Sequence, residues 1–143
     1  MVLISKPSMD DENLKGSVIL ITERNEEGAM GFVFNKLFHR SLNELAAFSY
    51  SRPFPLYDGG PVDKEHLFFV HRRPDLIEEG RHVVDSIYLG GNFRQAIARI
   101  NDKTLSESDI RIFIGYCGWD RGQLEAEIEE GSWSVVDYSE ITW

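Results

Sequence analysis

The chain has 143 residues, the usual size of one domain, and 42% of them are hydrophobic, which is enough to build a substantial core. Its formal net charge is −9, with ten Asp or Glu against three Lys or Arg in residues 101–143, so direct nucleic-acid binding, which favours a basic surface, is not expected. No apolar run could span a bilayer, the N-terminus lacks the features of a signal peptide, and the single cysteine cannot form an intrachain disulfide, so we expect a cytoplasmic protein.

Seven runs of β-branched and other apolar residues predict β-strands. The second and third runs are separated by "RNEEG" at residues 24–28, where Gly28 suits a turn. These two strands are therefore predicted to form an antiparallel hairpin. The predicted strands are residues 2–5, 17–22, 29–35, 66–71, 82–89, 110–117 and 133–138.

Three helices are predicted between these strands. The first begins at Ser41, because "SLNE" has the spacing of a capping box, and the second begins near Asn92. The third covers residues 120–130, with Asp120 as its N-cap and Gly131 at its end. The apolar residues expected to face the sheet are Leu42, Leu45 and Phe48, then Phe93, Ile97 and Ile100, then Leu124 and Ile128.

The order of these elements indicates the fold class. Neighbouring strands are joined by short links, and regular alternation of strands with helices is absent, which favours an α+β domain with a largely antiparallel sheet and about three flanking helices. We predict a single domain over residues 1–143. No glycine-rich motif of the dinucleotide-binding or P-loop type opens a helix, so no nucleotide cofactor is expected.

Cys117 lies in "GYCGW", between two glycines at the end of a predicted strand. One interpretation is a nucleophile on a sharp strand-to-helix turn, where the helix dipole would lower the pKa of the thiol. The other is a small buried residue, as most free cysteines are. The second is favoured, because no base is evident in the sequence and the charge of Asp120 would raise the pKa of the thiol. No catalytic residue is therefore assigned.

Two Tyr-x-Gly-Gly motifs, at residues 57–60 and 88–91, allow close approach of another backbone or of a ligand. They could line a shared cleft, or they could be turns and bulges at strand ends. The glycines are Gly59, Gly60, Gly90 and Gly91, and the polar candidates beside them are Asn35, Lys36 and Asp58. A cleft of this kind gives the alternative function, a small-molecule-binding protein or enzyme.

The histidines give no metal site. His39, His66, His71 and His82 have no His or Cys partner at the short spacing that zinc ligands usually show, so no metal is expected. The most basic stretch is "HRRPD", where two arginines, Arg72 and Arg73, could grip a carboxylate or phosphate, although a solvated loop is the simpler interpretation.

The third helix carries the acidic run "EAEIEEG", which is either a solvated face or a docking surface for a basic partner. Trp119 and Trp133 flank this helix and could fix it to the sheet. Trp143 has no evident burial partner in the sequence.

Several motifs together resemble the AlgH/YqgE family of bacterial proteins. They are "LISKPSMDDENLKGSVILITERNEEGAMGFVFNK", "LYDGGPV", "LFFVH" and "GYCGWDRGQLEAEIEEGSW", in the family order over essentially the whole chain. The resemblance implies a coiled, bifurcated β-sheet with flanking helices, a cytoplasmic location and the family's usual description as a transcriptional regulator. It implies neither catalytic residues nor a cofactor. Family members usually continue past the position of Trp143 through a C-terminal helix, so we expect either a shorter family type or a shortened chain.

The leading functional hypothesis is a non-enzymatic regulatory module that binds protein partners. Its surface would combine the glycine turns with five residues of the last motif, namely Tyr116, Trp119, Gln123, Glu125 and Glu127.

Overall fold

The computed structural model of the protein describes residues 1–6 and 15–143; residues 7–14, which belong to the first family motif, lie outside the described part. The described residues form ten strands, two α-helices and three short 3-10 helices. The strands are β1 (Val2–Ser5), β2 (Val18–Asn25), β3 (Gly28–Val33), β4 (Leu37–Ser41), β5 (Pro55–Asp58), β6 (Val62–His71), β7 (Arg81–Val84), β8 (Ile87–Leu89), β9 (Ile110–Asp120) and β10 (Trp133–Val136). The helices are α1 (Phe93–Asn101), α2 (Gln123–Glu129) and the 3-10 helices Leu42–Glu44, Ala46–Phe48 and Tyr138–Glu140.

Strand β9, with 11 residues, is the centre of the sheet. The hydrogen-bonded order of the strands is β10-β1-β2-β3-β9-β6-β8-β7, and β4 and β5 form a branch from this order. Among the described strands every pair is antiparallel except β5 with β9. The predicted α+β class with a largely antiparallel sheet is confirmed.

The sheet divides along one edge of β9. Residues 112–114 pair there with β5, and residues 117–120 pair with β3, while β6 follows the opposite edge. At the division, the Gly59 N–H donates to Ile114 O and the Gly59 carbonyl accepts from Val33 N–H, each at 2.9 Å. Gly59, in the β5–β6 link, therefore connects β9 with β3 at the point where the two branches of the sheet separate.

Side chains alternate between the faces of β9, and this alternation separates the core into clusters. Ile110, Ile112 and Ile114 lie in a cluster beneath α1, whereas Phe113 packs on the other face with Phe32. A third cluster lies between the second half of β9 and α2. Its fully or nearly buried members are Leu3, Ile19, Ile21, Val33, Cys117, Trp119, Leu124 and Trp133.

The predicted hairpin and the second predicted helix are confirmed. Strands β2 and β3 are antiparallel neighbours, with Asn25 opposite Gly28 across the turn. Helix α1 begins after Asn92, whose side-chain oxygen accepts from the Gln95 N–H at 3.1 Å. Its buried residues include Ile97 and Ile100, as the spacing predicted.

The first predicted helix is wrong, because two 3-10 turns replace it. Ser41 ends β4, and its hydroxyl bonds to the side chains of Asn43 and Glu44 instead of capping a backbone N–H. The Leu42 N–H bonds to the Phe54 carbonyl, and Leu45 is extended, so the helical hydrogen-bond pattern is interrupted at both places. Within the described residues there are therefore two α-helices rather than about three.

The third predicted helix starts later than expected. Asp120 is not its N-cap, because β9 extends to Asp120 and pairs it with Gly28. The N-cap is Gly122, with φ +77°, and the side chain of Gln123 accepts from the Asp120 N–H at 3.0 Å, which ties the start of α2 to the end of β9. At the other end, Gly131 and Ser132 donate to the carbonyls of Ile128 and Glu127, the hydrogen bonds of a Schellman motif.

The other differences concern strands. The run 82–89 is a β7–β8 hairpin that turns at residues 85–86. Strands β4 and β5 were not predicted, because β4 is largely exposed and β5 is four residues long and begins at a proline. No helix of the described residues is long and apolar enough to cross a membrane.

Candidate functional site

Helix α2 is attached to the sheet by one carboxylate. The indole N–H groups of Trp119 and Trp133 both donate to Glu127 Oε1, each at 3.0 Å. The two tryptophans are 7% and 1% exposed, so the contact is largely shielded from water. The prediction that these tryptophans fix the helix to the sheet is confirmed, and Glu127 is the residue through which they do so.

The sequence produces this arrangement locally. Cys117 and Trp119, two residues apart in β9, point to the same face, where Leu124 of α2 is also buried. The short link of residues 121–122 returns the chain over that face. Glu127 lies one turn after Leu124 and therefore faces the same side, within reach of both indoles.

A surface depression of about 270 Å³ lies at the β2–β3 hairpin and Trp119, the residue of β9 that bonds to Glu127 of α2. Its lining includes Glu23, Glu27, Met30 and Trp119, and Glu23 also forms an ion pair with Arg81 at 3.4 Å between Oε1 and Nη1. An ion pair joins Arg24 of the hairpin to Glu125 of α2, with 3.8 Å between Nη2 and Oε2. Trp119 and the Arg24–Glu125 ion pair connect the hairpin with α2, and we call the depression together with the exposed side of α2 the α2–hairpin surface.

Gln123 and Tyr116, two further residues of the predicted site, do not lie on the same surface. Gln123, the first residue of α2, is exposed on the α2–hairpin surface, and its side chain accepts from the Asp120 N–H. Tyr116 points away from it, because it packs edge-on against Phe68 on the opposite face of β9, with 5.4 Å between ring centroids. The structure thus brings Trp119, Gln123, Glu125 and Glu127 together and excludes Tyr116.

Cys117 lies inside β9, opposite Gly31 of β3, and is 5% exposed. Its thiol donates to the Gly59 carbonyl, with 3.6 Å between sulfur and oxygen. The strand continues for three residues beyond it, so the sharp strand-to-helix turn of the nucleophile interpretation is absent at this position. The buried interpretation of Cys117 is confirmed.

Asn35, Lys36 and Asp58 do lie together, at the start of β4 and the end of β5. The Asn35 side chain accepts from Val18 N–H and donates to Gly16 O, so it holds the beginning of β2. Asp58 forms ion pairs with Lys36 and Lys64, at 3.7 and 2.5 Å between nitrogen and oxygen. These polar groups bond to one another and to the backbone.

Gly59 and Gly60 serve backbone packing. A Cβ at Gly60 would lie 2.3 Å from the Tyr116 carbonyl, and one at Gly115, which has φ +74°, would lie 2.3 Å from the Gly60 carbonyl. The two chains cross here at a distance that admits no side chain on either one.

Gly90 and Gly91 lie elsewhere. They follow β8 and pack near Phe69 and residues 78–80, with β6 and β9 between them and β5. The predicted cleft between the two glycine pairs is therefore wrong, because two strands separate them.

The sequence analysis did not predict the burial of two titratable residues, His71 and Arg111. His71 Nδ1 accepts from the Arg73 N–H at 3.1 Å, so Nε2 carries the proton and donates to Gly90 O at 3.0 Å. Burial lowers the pKa of His71. The signal for both was a charged or titratable residue at an inward position of an alternating strand. In the described part of the chain, no group of three or more His, Cys, Asp or Glu is placed to hold a metal ion.

The divided antiparallel sheet, with α2 held by a shared carboxylate, defines an α+β protein of one recognisable class. A family model, DUF179, described as AlgH-like, matches residues 2–142, and the chain belongs to this family. A UPF0301 protein of Chlorobium luteolum is 37% identical over 136 residues, which cover 95% of this chain and 72% of that protein.

Solved structures agree with this assignment. The solution structure of the AlgH protein from Pseudomonas aeruginosa has a TM-score of 0.72 and 28% identity, over 96% of this chain and 77% of that one. A crystal structure of a protein from Corynebacterium diphtheriae has a TM-score of 0.74 and 26% identity, over 92% and 71%. The fold and the family are thus shown by independent comparisons.

Proposed function

We propose that the protein is a non-enzymatic interaction module with a regulatory role, and that its α2–hairpin surface binds a basic segment of a partner protein. The observation that carries this proposal is the depression at the hairpin, which is lined by two acidic residues, Glu23 and Glu27, together with Met30 and Trp119. Interfaces commonly combine an apolar centre with charges that select and orient the partner.

The charges of this surface favour a cationic partner. Glu27 forms no ion pair with any described residue, and Glu129 on α2 is likewise exposed and without one. A Lys or Arg side chain placed in the depression would meet Glu27 and could lay its methylene groups on Met30 and Trp119. The same acidity repels nucleic-acid phosphates, so a regulatory effect would pass through a protein. The cytoplasmic location stays a prediction.

Affinity capture with two charge variants tests the proposal. Glu27→Lys/Glu125→Lys reverses the charge of the proposed surface, whereas Glu65→Lys/Glu107→Lys makes the same change of net charge at exposed positions elsewhere. Glu127 is left intact in both, because it binds two buried indoles. The captured proteins are quantified by mass spectrometry, and the binding of the most enriched one is then measured with purified protein.

We expect a basic partner that wild type and the control retain equally and that the test variant binds about tenfold more weakly, which corresponds to about 1.4 kcal/mol, since two reversed charges turn attraction into repulsion. Added salt should weaken this binding, because the attraction is electrostatic. If the test variant captures and binds the same proteins as wild type, the proposal is wrong.

A further inference from the structure

A second candidate site lies in the other half of β9, around the buried guanidinium of Arg111. This residue is 8% exposed and lies two positions before Phe113, on the same face of the strand. Its neighbour in β6 is Val70. The α2–hairpin surface, by contrast, lies beside the last residues of β9, so the two sites are separate.

Aromatic rings enclose the guanidinium. Its central carbon lies over the ring of Phe34 at 4.4 Å and over the ring of Tyr57 at 4.2 Å. One nitrogen, Nη1, donates to the Phe34 carbonyl at 2.7 Å. The rings occupy the faces of the planar group, so its edge is what remains for hydrogen bonding.

The charge of Arg111 is not compensated by the protein. Among the described residues no carboxylate forms an ion pair with it, and Glu107 acts only at longer range. Burial, together with the like charge of Arg72, lowers the pKa of Arg111. Burying a cation without a counter-ion costs several kcal/mol, and the cation–π contacts with Phe34 and Tyr57, worth about 2 kcal/mol each when desolvated, offset part of this cost.

The remaining guanidinium nitrogens still reach solvent. Among the described side chains, a single polar atom is both fully buried and without a hydrogen-bond partner. That atom is Ser5 Oγ, so no nitrogen of Arg111 is in this condition. The nitrogens of Arg111 other than Nη1 have no acceptor among the described residues, and they are not among the buried atoms left without a partner, so they retain some contact with solvent. These nitrogens are therefore the ones available to a ligand.

A second guanidinium, that of Arg72, stands near Arg111. Arg72 lies over the indole of Trp143 at 4.3 Å, and Trp143 contacts Phe34 edge-on with 5.4 Å between ring centroids. Trp143, for which the sequence offered no partner, is thus partly buried between Arg72 and Phe34. Arg72 forms no ion pair with a described residue, whereas Arg73 is held by both oxygens of Asp75.

We propose that Arg111 and Arg72 bind a small oxyanion with two negative charges, such as a phosphate group or a dicarboxylate, at the outward edge of the Arg111 guanidinium. A guanidinium edge presents parallel N–H groups that match two oxygens of such an anion. Two cations favour a dianion, and the low dielectric of the aromatic surroundings strengthens the attraction. The chain as a whole is acidic, so a cationic site formed by Arg111 and Arg72 differs in charge from the protein's average surface.

Titrations with inorganic phosphate and with succinate test the site, at ionic strength held constant with sodium chloride. Binding is followed by NMR chemical shifts and by thermal unfolding, for wild type and for Arg111→Met and Arg72→Gln. Arg94→Gln is the matched control, since Arg94 is an exposed arginine on α1. Arg111→Met keeps the volume and hydrophobic packing while it removes the charge.

We expect at least one of the two anions to bind wild type and the control equally, with shifts concentrated at Tyr57, Arg111 and the Trp143 indole. Arg111→Met should bind at least about tenfold more weakly, the loss of one charge-assisted hydrogen bond. Without anion, it should be as stable as wild type or more stable, because an uncompensated buried charge is removed. Response to one anion but not the other identifies the source of the oxyanion.

Two results would overturn the proposal. One is that neither anion shifts wild-type resonances beyond the effect of sodium chloride. The other is that Arg111→Met or Arg72→Gln binds as tightly as wild type. If Arg111→Met does not fold, Arg72→Gln and the location of the wild-type shifts decide the question by the same criteria.

Discussion

At the scale of single residues, Glu127 and His71 each satisfy two groups at once. Glu127 Oε1 accepts from two indoles, and the His71 ring bonds through both nitrogens between Arg73 and Gly90. In each case the partners fix what the side chain must present: an accepting oxygen at Glu127 and a single proton on Nε2 of His71. Loss of such a residue leaves two partners without a hydrogen bond, so its cost exceeds that of an ordinary contact.

Substitution of Glu127 separates its hydrogen-bonding role from its charge. Glu127→Ala leaves two buried indole donors unpaired and should lower the free energy of unfolding by about 2–4 kcal/mol. Glu127→Gln retains a carbonyl acceptor and should cost about 1 kcal/mol or less. Glu129→Ala, at an exposed position of the same helix, should change it by about 0.5 kcal/mol or less. Urea unfolding followed by tryptophan fluorescence measures all three, and equal losses for Ala and Gln at 127 would contradict the role of the shared oxygen.

The titration of His71 should appear in the stability of the protein. Burial holds its pKa in the folded state below the ordinary value of 6.5, so the unfolded chain binds more protons between these two values. The stabilising effect of neutral His71 is complete above pH 6.5 and is lost as the pH falls through the lower, folded pKa. Urea midpoints measured from pH 7.5 to pH 5 should therefore fall more steeply for wild type than for His71→Gln, which cannot titrate. Parallel curves would show that His71 is not the group responsible.

At the scale of elements, the crossing of Gly60 with Gly115 allows β9 to exchange one neighbour for another within a single strand. Since β5 and β3 use the same edge of β9, the chain leaving β5 must pass directly over β9 at the point of division. The carbonyls of Gly60 and Tyr116 occupy the space that side chains would need.

Alanine substitutions at Gly90 and Gly115 distinguish the energetic cost of backbone strain from that of a steric clash. Gly115 and Gly90 have φ values of +74° and +67°, but a Cβ at Gly115 would lie 2.3 Å from the Gly60 carbonyl, whereas one at Gly90 would meet nothing within 4 Å. Gly90→Ala should therefore cost about 1–2 kcal/mol, the strain of the left-handed conformation alone. Gly115→Ala should cost at least about 2 kcal/mol more, in the range of overpacked cores. Chemical unfolding of both variants measures the difference, and equal losses would contradict the close crossing.

The elements predicted from sequence are those whose signals are local. The β2–β3 hairpin and α1 depend on alternation, on helical spacing and on the Asn92 cap, all contained in short segments. The segment at residues 41–48 carried an equally good local signal, but contacts with Phe54 outweighed it. Strand β5 owes its existence to pairing with β9, more than 50 residues away, which no local pattern records.

The candidate site, like the fold, was predicted only in part from the sequence. Family motifs located Trp119, Gln123, Glu125 and Glu127, which the structure brings together. They also included Tyr116, which the alternation of β9 turns to the opposite face. The joint contact of the two indoles depends on three-dimensional packing of β9, α2 and β10, and the Arg111 cluster on strands distant in sequence.

At the scale of the whole molecule, β9 belongs to all three core clusters and has neighbours along both edges. Strand β7, by contrast, lies at the end of the sheet and pairs only with β8 among the described strands. Local opening should require least energy at such an edge and most at the centre, where it breaks contacts in several clusters at once.

Amide hydrogen exchange should reflect this difference. The amides of residues 112–114, between β5 and β6, should exchange only through global unfolding, and those of residues 81–84 in β7 should exchange much faster through local opening. Exchange monitored by NMR as a function of low urea concentration distinguishes the two routes. Equal protection of β7 and β9 would mean that the sheet opens as a single unit.

The position of β9 also limits how the gene can change in length. Adding or removing one codon within residues 110–120 would turn every later side chain of the strand to the opposite face. Phe113 or Trp119 would then leave one cluster for another, and the glycine crossing would lose its register at the same time. We therefore expect insertions and deletions accumulated during evolution to fall in the turns around this strand, and its length to stay the same across bacterial lineages.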